Sequence, residues 1–169
     1  MLIIDEYNKK AVEELQKLKQ SDDFKTLILF WSVWTGKTFL VKNILHHDYF
    51  IDEAEFKQQI VSGGARLRQP EEWGASIHLF PLEALAKMKT IIYDDYGTAD
   101  LSPAYIEKML YWINRRLEKG LKTIITTNLT FKQFEEREKR IASRLLENGV
   151  LMEMTGPDRR KKKTKIIKA

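Results

Sequence analysis

Apolar residues recur along this chain in two rhythms, short uninterrupted runs and longer stretches spaced by three and four, and the two alternate. Tyr7, Ala11, Leu15 and Leu18, with charges between them, predict an amphipathic helix over 5–19 that ends near Ser21-Asp22-Asp23. The run Thr26-Leu27-Ile28-Leu29-Phe30 is too short and too uniformly apolar for an exposed helix and reads as a buried strand. Trp31 to Thr35 leads from it as a loop into a helix opening at Gly36. Tyr49-Phe50-Ile51 predicts a second strand and Glu53 to Val61 a helix, while Ser62 to Glu72 carries a Gly-Gly and a Pro and reads as a loop. Leu82 to Met88 is a short helix. A third strand, Thr90 to Tyr93, ends on Asp94-Asp95, and Tyr105 to Glu118 is a helix closed by Gly120 as a left-handed cap. Lys122 to Thr127 is the fourth strand, Phe131 to Leu146 a helix stopping at Asn148-Gly149, and Val150 to Met154 the last strand. Strands alternating with helices imply right-handed crossovers, and so a three-layer α/β domain on a mainly parallel sheet.

Composition narrows the chemistry. At 169 residues and 43% hydrophobic, the chain has the size and core of one domain. The longest apolar run, Leu27 to Val33, is far short of the roughly 20 residues of a membrane helix, and the acidic Asp5-Glu6 start is unlike a signal peptide, so the expectation is a cytoplasmic protein without a membrane partner. Cysteine is absent, which leaves Asp, Glu, Lys, Arg, Thr, Asn and backbone to do the work. The formal charge of +5 is uneven. Seven basic residues (Arg159, Arg160, Lys161, Lys162, Lys163, Lys165, Lys168) stand against Asp158 at the end, leaving 22 basic and 23 acidic residues elsewhere. Such a tail suits a polyanion, nucleic acid before membrane because no apolar helix face accompanies the charge; the lesser alternative is a solvated terminus. Neutralising that many phosphates predicts a log–log salt slope of about −5 on single strands. Trp73 and Trp112 are aromatic enough to stack bases, but core packing is the commoner fate of such residues and neither is assigned to DNA.

Three clusters fall at strand ends, where ligands bind in parallel sheets. Gly36-Lys37-Thr38 supplies what a phosphate loop needs: backbone N–H groups at a helix start, a Lys for the β/γ oxygens, and a hydroxyl for Mg²⁺. Thr35 and Phe39 flank the triplet and complete the nucleotide-binding set. The full pattern G-x-x-x-x-G-K-[ST] falls on Trp31 to Thr38, so its leading glycine is Trp31. A bulky residue in left-handed backbone costs about 1–2 kcal/mol, which as lost binding is about tenfold. Asp94-Asp95 places one carboxylate for Mg²⁺ and the next to orient or deprotonate an attacking water; alone, the pair reads as an exposed acidic turn before Gly97. Thr127-Asn128 puts a neutral amide where it positions water without adding charge, and reads equally as a helix N-cap. Arg140 and Arg144, four apart, share one helix face, and Arg159 and Arg160 follow the last strand; a guanidinium fork suits a γ-phosphate.

The order of these motifs resembles the AAA+ ATPases, and among them the DnaC-type helicase loaders and IstB-type transposition ATPases, from about Asn8 to Arg160. The most specific pieces are Ile91-Ile92-Tyr93-Asp94-Asp95-Tyr96-Gly97, Thr126-Thr127-Asn128-Leu129 and Arg140-Ile141-Ala142-Ser143-Arg144-Leu145. The resemblance implies a P-loop NTPase domain without a separate lid over 1–158, with a basic tail at 159–169. It implies that Asp94 and Asp95 form Walker B and Thr38 joins Asp94 at the metal. Asn128 would be sensor 1, Arg140 an arginine finger acting on a neighbouring subunit with Arg144 close by, and Arg159 or Arg160 would lie near sensor 2. It further implies ATP and Mg²⁺ at a subunit interface of a homo-oligomer that engages single-stranded DNA and a replicative helicase or transposase. Trp31 and Trp34 stand where that loop carries glycines, which opens the alternative of a hydrolysis-deficient relative serving as a DNA-binding or assembly module. A small-metabolite P-loop kinase is the third reading, and leaves Asn128 and the Arg140 helix unexplained.

Overall fold

Five strands rich in Ile, Thr and aromatic residues build the sheet of the computed structural model, which describes residues 4–21, 23–31, 35–61 and 82–156. They are β1 (Thr26–Phe30), β2 (Tyr49–Asp52), β3 (Thr90–Tyr96), β4 (Lys122–Thr127) and β5 (Gly149–Glu153). All pairings are parallel and the order is β2-β3-β4-β1-β5. The helices are α1 (Lys9–Gln20), α2 (Lys37–Ile44), α3 (Glu53–Val61), α4 (Leu82–Leu85), α5 (Pro103–Glu118), α6 (Phe131–Arg137) and α7 (Lys139–Leu146).

Side-chain alternation along each strand divides the core in two. Ile28, Tyr93 and Ile125 face one layer with Phe56 of α3, Trp112 of α5, Phe134 of α6 and Leu145 of α7. Leu27, Leu29, Ile92 and Ile124 face the other with Leu15 of α1 and Val41 of α2. The three-layer α/β expectation therefore holds, and every strand read from the sequence is present. Trp112 is fully buried, so base stacking is closed to it.

Several boundaries move, each for a physical reason. The first helix begins at Lys9, with Asn8, Val12 and Leu15 buried, while Tyr7 lies in the preceding turn and is half exposed. Strand β3 runs on to Tyr96 through a bulge, because Asp95 takes a left-handed φ of 55°. Gly120 does close α5 in left-handed backbone at φ 64°, and the bonds Gly120 N–H to Leu117 O and Leu121 N–H to Arg116 O form a Schellman cap. The single helix expected over 131–146 is two, broken at Glu138, whose extended backbone lets its side chain cap α7. The loop expected at Ser62 to Glu72, Trp34, Trp73 and the basic tail with Arg159 and Arg160 lie outside the described residues.

Candidate functional site

The carboxyl ends of β1, β3 and β4 supply the site. After β1 the chain turns at Trp31, which adopts φ 77°, the left-handed backbone that glycine favours, with its N–H bonded to Leu129 O at 3.1 Å. The cost foreseen for a bulky residue there is thus present in the fold. Its side chain is 41% exposed. Gly36, at φ 90°, opens α2, and Thr35 before it is buried. Among Thr35 to Phe39, Phe39 turns outward to solvent and Lys37 turns inward.

Lys37 is the hinge of the cluster. Its ammonium donates to Trp31 O at 2.7 Å and to Asn128 Oδ1 at 2.9 Å. Burial lowers its pKa to about 8, against the pull of Asp95 and then Asp94, whose negative charges favour the ammonium. Asn128 reaches the other way as well, donating through Nδ2 to Asp95 Oδ1 at 3.4 Å. The amide therefore stands between cation and carboxylate, because β4 lies between β1 and β3.

Thr38 Oγ1 donates to Asp94 Oδ1 at 2.7 Å, and Thr126 Oγ1 donates to the same oxygen. Asp94 is buried, so this pair of hydroxyls fixes its carboxylate. With its one hydrogen directed to Asp94, the Thr38 hydroxyl keeps its lone pairs for a cation, and the donor set is all hard oxygen; it fits Mg²⁺. Thr126 also accepts the Asp95 N–H at 3.2 Å, which orients the exposed Asp95 through its bulge.

Lys37, Thr38, Asp94, Asp95 and Asn128 are thus brought together. Arg140 and Arg144 are not: both lie on the exposed face of α7, Arg140 paired with Glu138 at 2.9 Å and Arg144 with Glu147 at 3.2 Å. Three neighbours went unassigned in the sequence. Thr126 sits in a strand that already read as buried. Glu53 is fully buried and bound to Arg137 at 3.5 Å, and Arg137 donates to Gly97 O at 3.1 Å and to Ala99 O, beside the Asp94-Asp95 turn. Their only signal was an acid opening a helix directly after a strand, a common and unspecific pattern.

A five-stranded parallel sheet in this order, helices on both faces, and a lysine and threonine opening α2 beside strand-end acids define a P-loop fold of the AAA+ kind. Its particular family follows from the sequence: residues 3–165 match the model of the IstB-like ATP binding proteins, and the chain belongs to that family. No curated protein sequence matches it. Among solved structures it is similar to a DnaC helicase loader (TM-score 0.65, 17% identity, 92% of this chain and 94% of that one). It is similar also to DnaI (TM-score 0.61, 19% identity, 92% and 88%). A third likeness is to AMPPCP-bound DnaA from Aquifex aeolicus (TM-score 0.68, 18% identity), where 90% of this chain spans 48% of that protein, about half its length. At such identities the likeness is one of fold, and it agrees with the family that the sequence shows.

Proposed function

We propose that the chain binds ATP with Mg²⁺ at the β1–β3–β4 edge and hydrolyses it in an oligomer, acting on DNA to load or regulate a replicative helicase or a transposition complex. The observation that carries the nucleotide site is the continuous chain of contacts from Lys37 through Asn128 to Asp95, with Thr38 on Asp94. Gly36 and the α2 N-terminus offer backbone N–H groups to the phosphates, Thr35 and Phe39 flank them, and Lys37 neutralises the β/γ oxygens. Bound there, Mg²⁺ held by Thr38 and Asp94 neutralises charge on the phosphate oxygens. Asp95 and Asn128 orient the attacking water, with Asp95 taking its proton.

Arg140, with Arg144 one turn on, completes a neighbour's site, which accords with their placement on an exposed helix face. Residues 1–158 are assigned to the ATPase domain and the basic tail from 159 to single-stranded DNA, with Arg159 serving the nucleotide as the family resemblance implies. The likenesses to a helicase loader and to DnaA support the partner class.

A second reading, a nucleotide-binding assembly module without hydrolysis, is favoured by one observation, the left-handed Trp31 at the glycine position. Fluorescence of Trp31 and calorimetry, with ATP and Mg²⁺, on the wild type beside Lys37→Ala test the site. Saturable binding lost in the variant is expected, and no binding by either method sinks the reading. Turnover no faster than in Lys37→Ala, with binding intact, selects the second.

A further inference from the structure

One ion pair outside the nucleotide cluster controls both polar sides of a single turn. Glu53, at the junction of β2 and α3, is fully buried, and Arg137, the last residue of α6, is 16% exposed. The Glu53 carboxylate accepts the N–H groups of Gly97 and Ala99 at 2.9 and 2.7 Å and the Tyr105 hydroxyl at 3.2 Å. Arg137 donates to the carbonyls of the same two residues, Gly97 and Ala99. One carboxylate therefore takes the donors of the turn and one guanidinium its acceptors.

The turn is the continuation of Asp94-Asp95. Thr98 Oγ1 donates back to the Asp95 carbonyl at 3.1 Å, and Gly97, at φ 113°, packs so closely on Leu129 that a Cβ would lie 2.8 Å from it. On its other side Arg137 adjoins Glu138, which caps α7 and holds Arg140. A buried ion pair is a poor device for stability alone, since apolar residues of similar shape often do as well. This one joins the metal-side acids to the helix that bears the outward arginine.

We propose that Glu53 and Arg137 are positioning residues, which hold the Asp94-Asp95 turn in the geometry that receives Mg²⁺-nucleotide and lock that turn to the start of α7. The inference rests on the ATP and Mg²⁺ reading above. Phosphate contacts through Gly36 and Lys37 lie on a different strand end and do not pass through the pair. Its loss is therefore expected to remove the metal's contribution to binding and spare the rest.

The test is calorimetric ATP affinity of the full chain, with Mg²⁺ and with EDTA, for wild type, Arg137→Met, Arg137→Lys and Glu53→Gln, with unfolding curves alongside. Expected is at least a tenfold reduction of the Mg²⁺-dependent gain in Arg137→Met and Glu53→Gln. Partial recovery is expected in Arg137→Lys, with EDTA affinity within twofold of wild type throughout. A folded variant in which both affinities fall together overturns the proposal, because the pair then supports the site as a whole and not its metal side. So does a folded Arg137→Met whose Mg²⁺ gain is undiminished; if that variant does not fold, Glu53→Gln, which keeps the side chain's shape, decides by the same criterion. A wild type that binds ATP without any Mg²⁺ gain, or not at all, overturns the functional reading itself, and is seen before any variant is measured.

Discussion

Lys37 carries the most informative number in the molecule. Its folded pKa of about 8 lies below the ordinary 10.5 because burial disfavours the ammonium more than Asp95 and Asp94 restore it. For a base depressed on folding, the unfolded chain holds more protons between those two values, so the stability owed to this group rises with pH from about 8 to about 10.5 and is lowest below 8. Nucleotide binding has the opposite sign. Phosphate oxygens favour the ammonium and raise its pKa, so binding above pH 8 must take up a proton. ATP affinity is expected to be flat below about pH 8 and to fall above it with a slope approaching tenfold per pH unit. Titration calorimetry in buffers of different ionisation enthalpy checks both the slope and the proton; a flat profile to pH 9.5 would show that Lys37 does not meet the phosphates. At this scale the sequence was partly legible. Lys37, Asp94, Asp95 and Asn128 announced themselves by residue type at strand ends, whereas Glu53 and Arg137 are ordinary helix charges until the fold brings them together.

Between residues and fold, α5 and the α6–α7 break show what periodicity does and does not carry. Trp112, Met109 and Tyr105 follow the helical spacing and are buried as the pattern demands. Arg116, in the last turn, is only 1% exposed. Its guanidinium donates to Thr123 Oγ1 at 2.9 Å, Leu85 O at 2.9 Å, Met88 O at 2.8 Å and Lys122 O at 2.5 Å, tying α5 to α4 and to β4. Arg116→Met fills much of the volume but strands these acceptors. It is expected to lower unfolding stability by about 3 kcal/mol, read from denaturant midpoints at unchanged m-value. A loss under about 1 kcal/mol would mean that water or a shift of α4 satisfies the carbonyls instead. The α6–α7 break was hidden for a related reason. No Gly or Pro marks it; what stops α6 is Arg137 turning in to Gly97 and Ala99 while Glu138 caps the next helix, both tertiary events.

Alternating strands and helices gave the parallel three-layer class from the sequence, but the strand order they leave open is what makes the site. Only with β4 between β1 and β3 does Asn128 stand between Lys37 and Asp95. The same order leaves α7 beside β5, packed through Ile141, Ala142 and Leu145, so its exposed stripe of Arg140 and Arg144 faces outward. Under the proposed function, each site in an assembly takes Lys37 from one chain and Arg140 from the next, a head-to-tail contact. Lys37→Ala and Arg140→Ala are each expected to abolish turnover alone. Mixed in equal amounts under exchange, about one site in four pairs an intact Lys37 with a neighbour's intact Arg140, so about a quarter of wild-type turnover is expected to return. That recovery distinguishes an arginine acting across an interface from one acting in its own chain, for which mixing restores nothing. If Arg140→Ala retains full turnover, α7 is a solvated face, and completion of the site passes to some other residue of the neighbouring copy or to none.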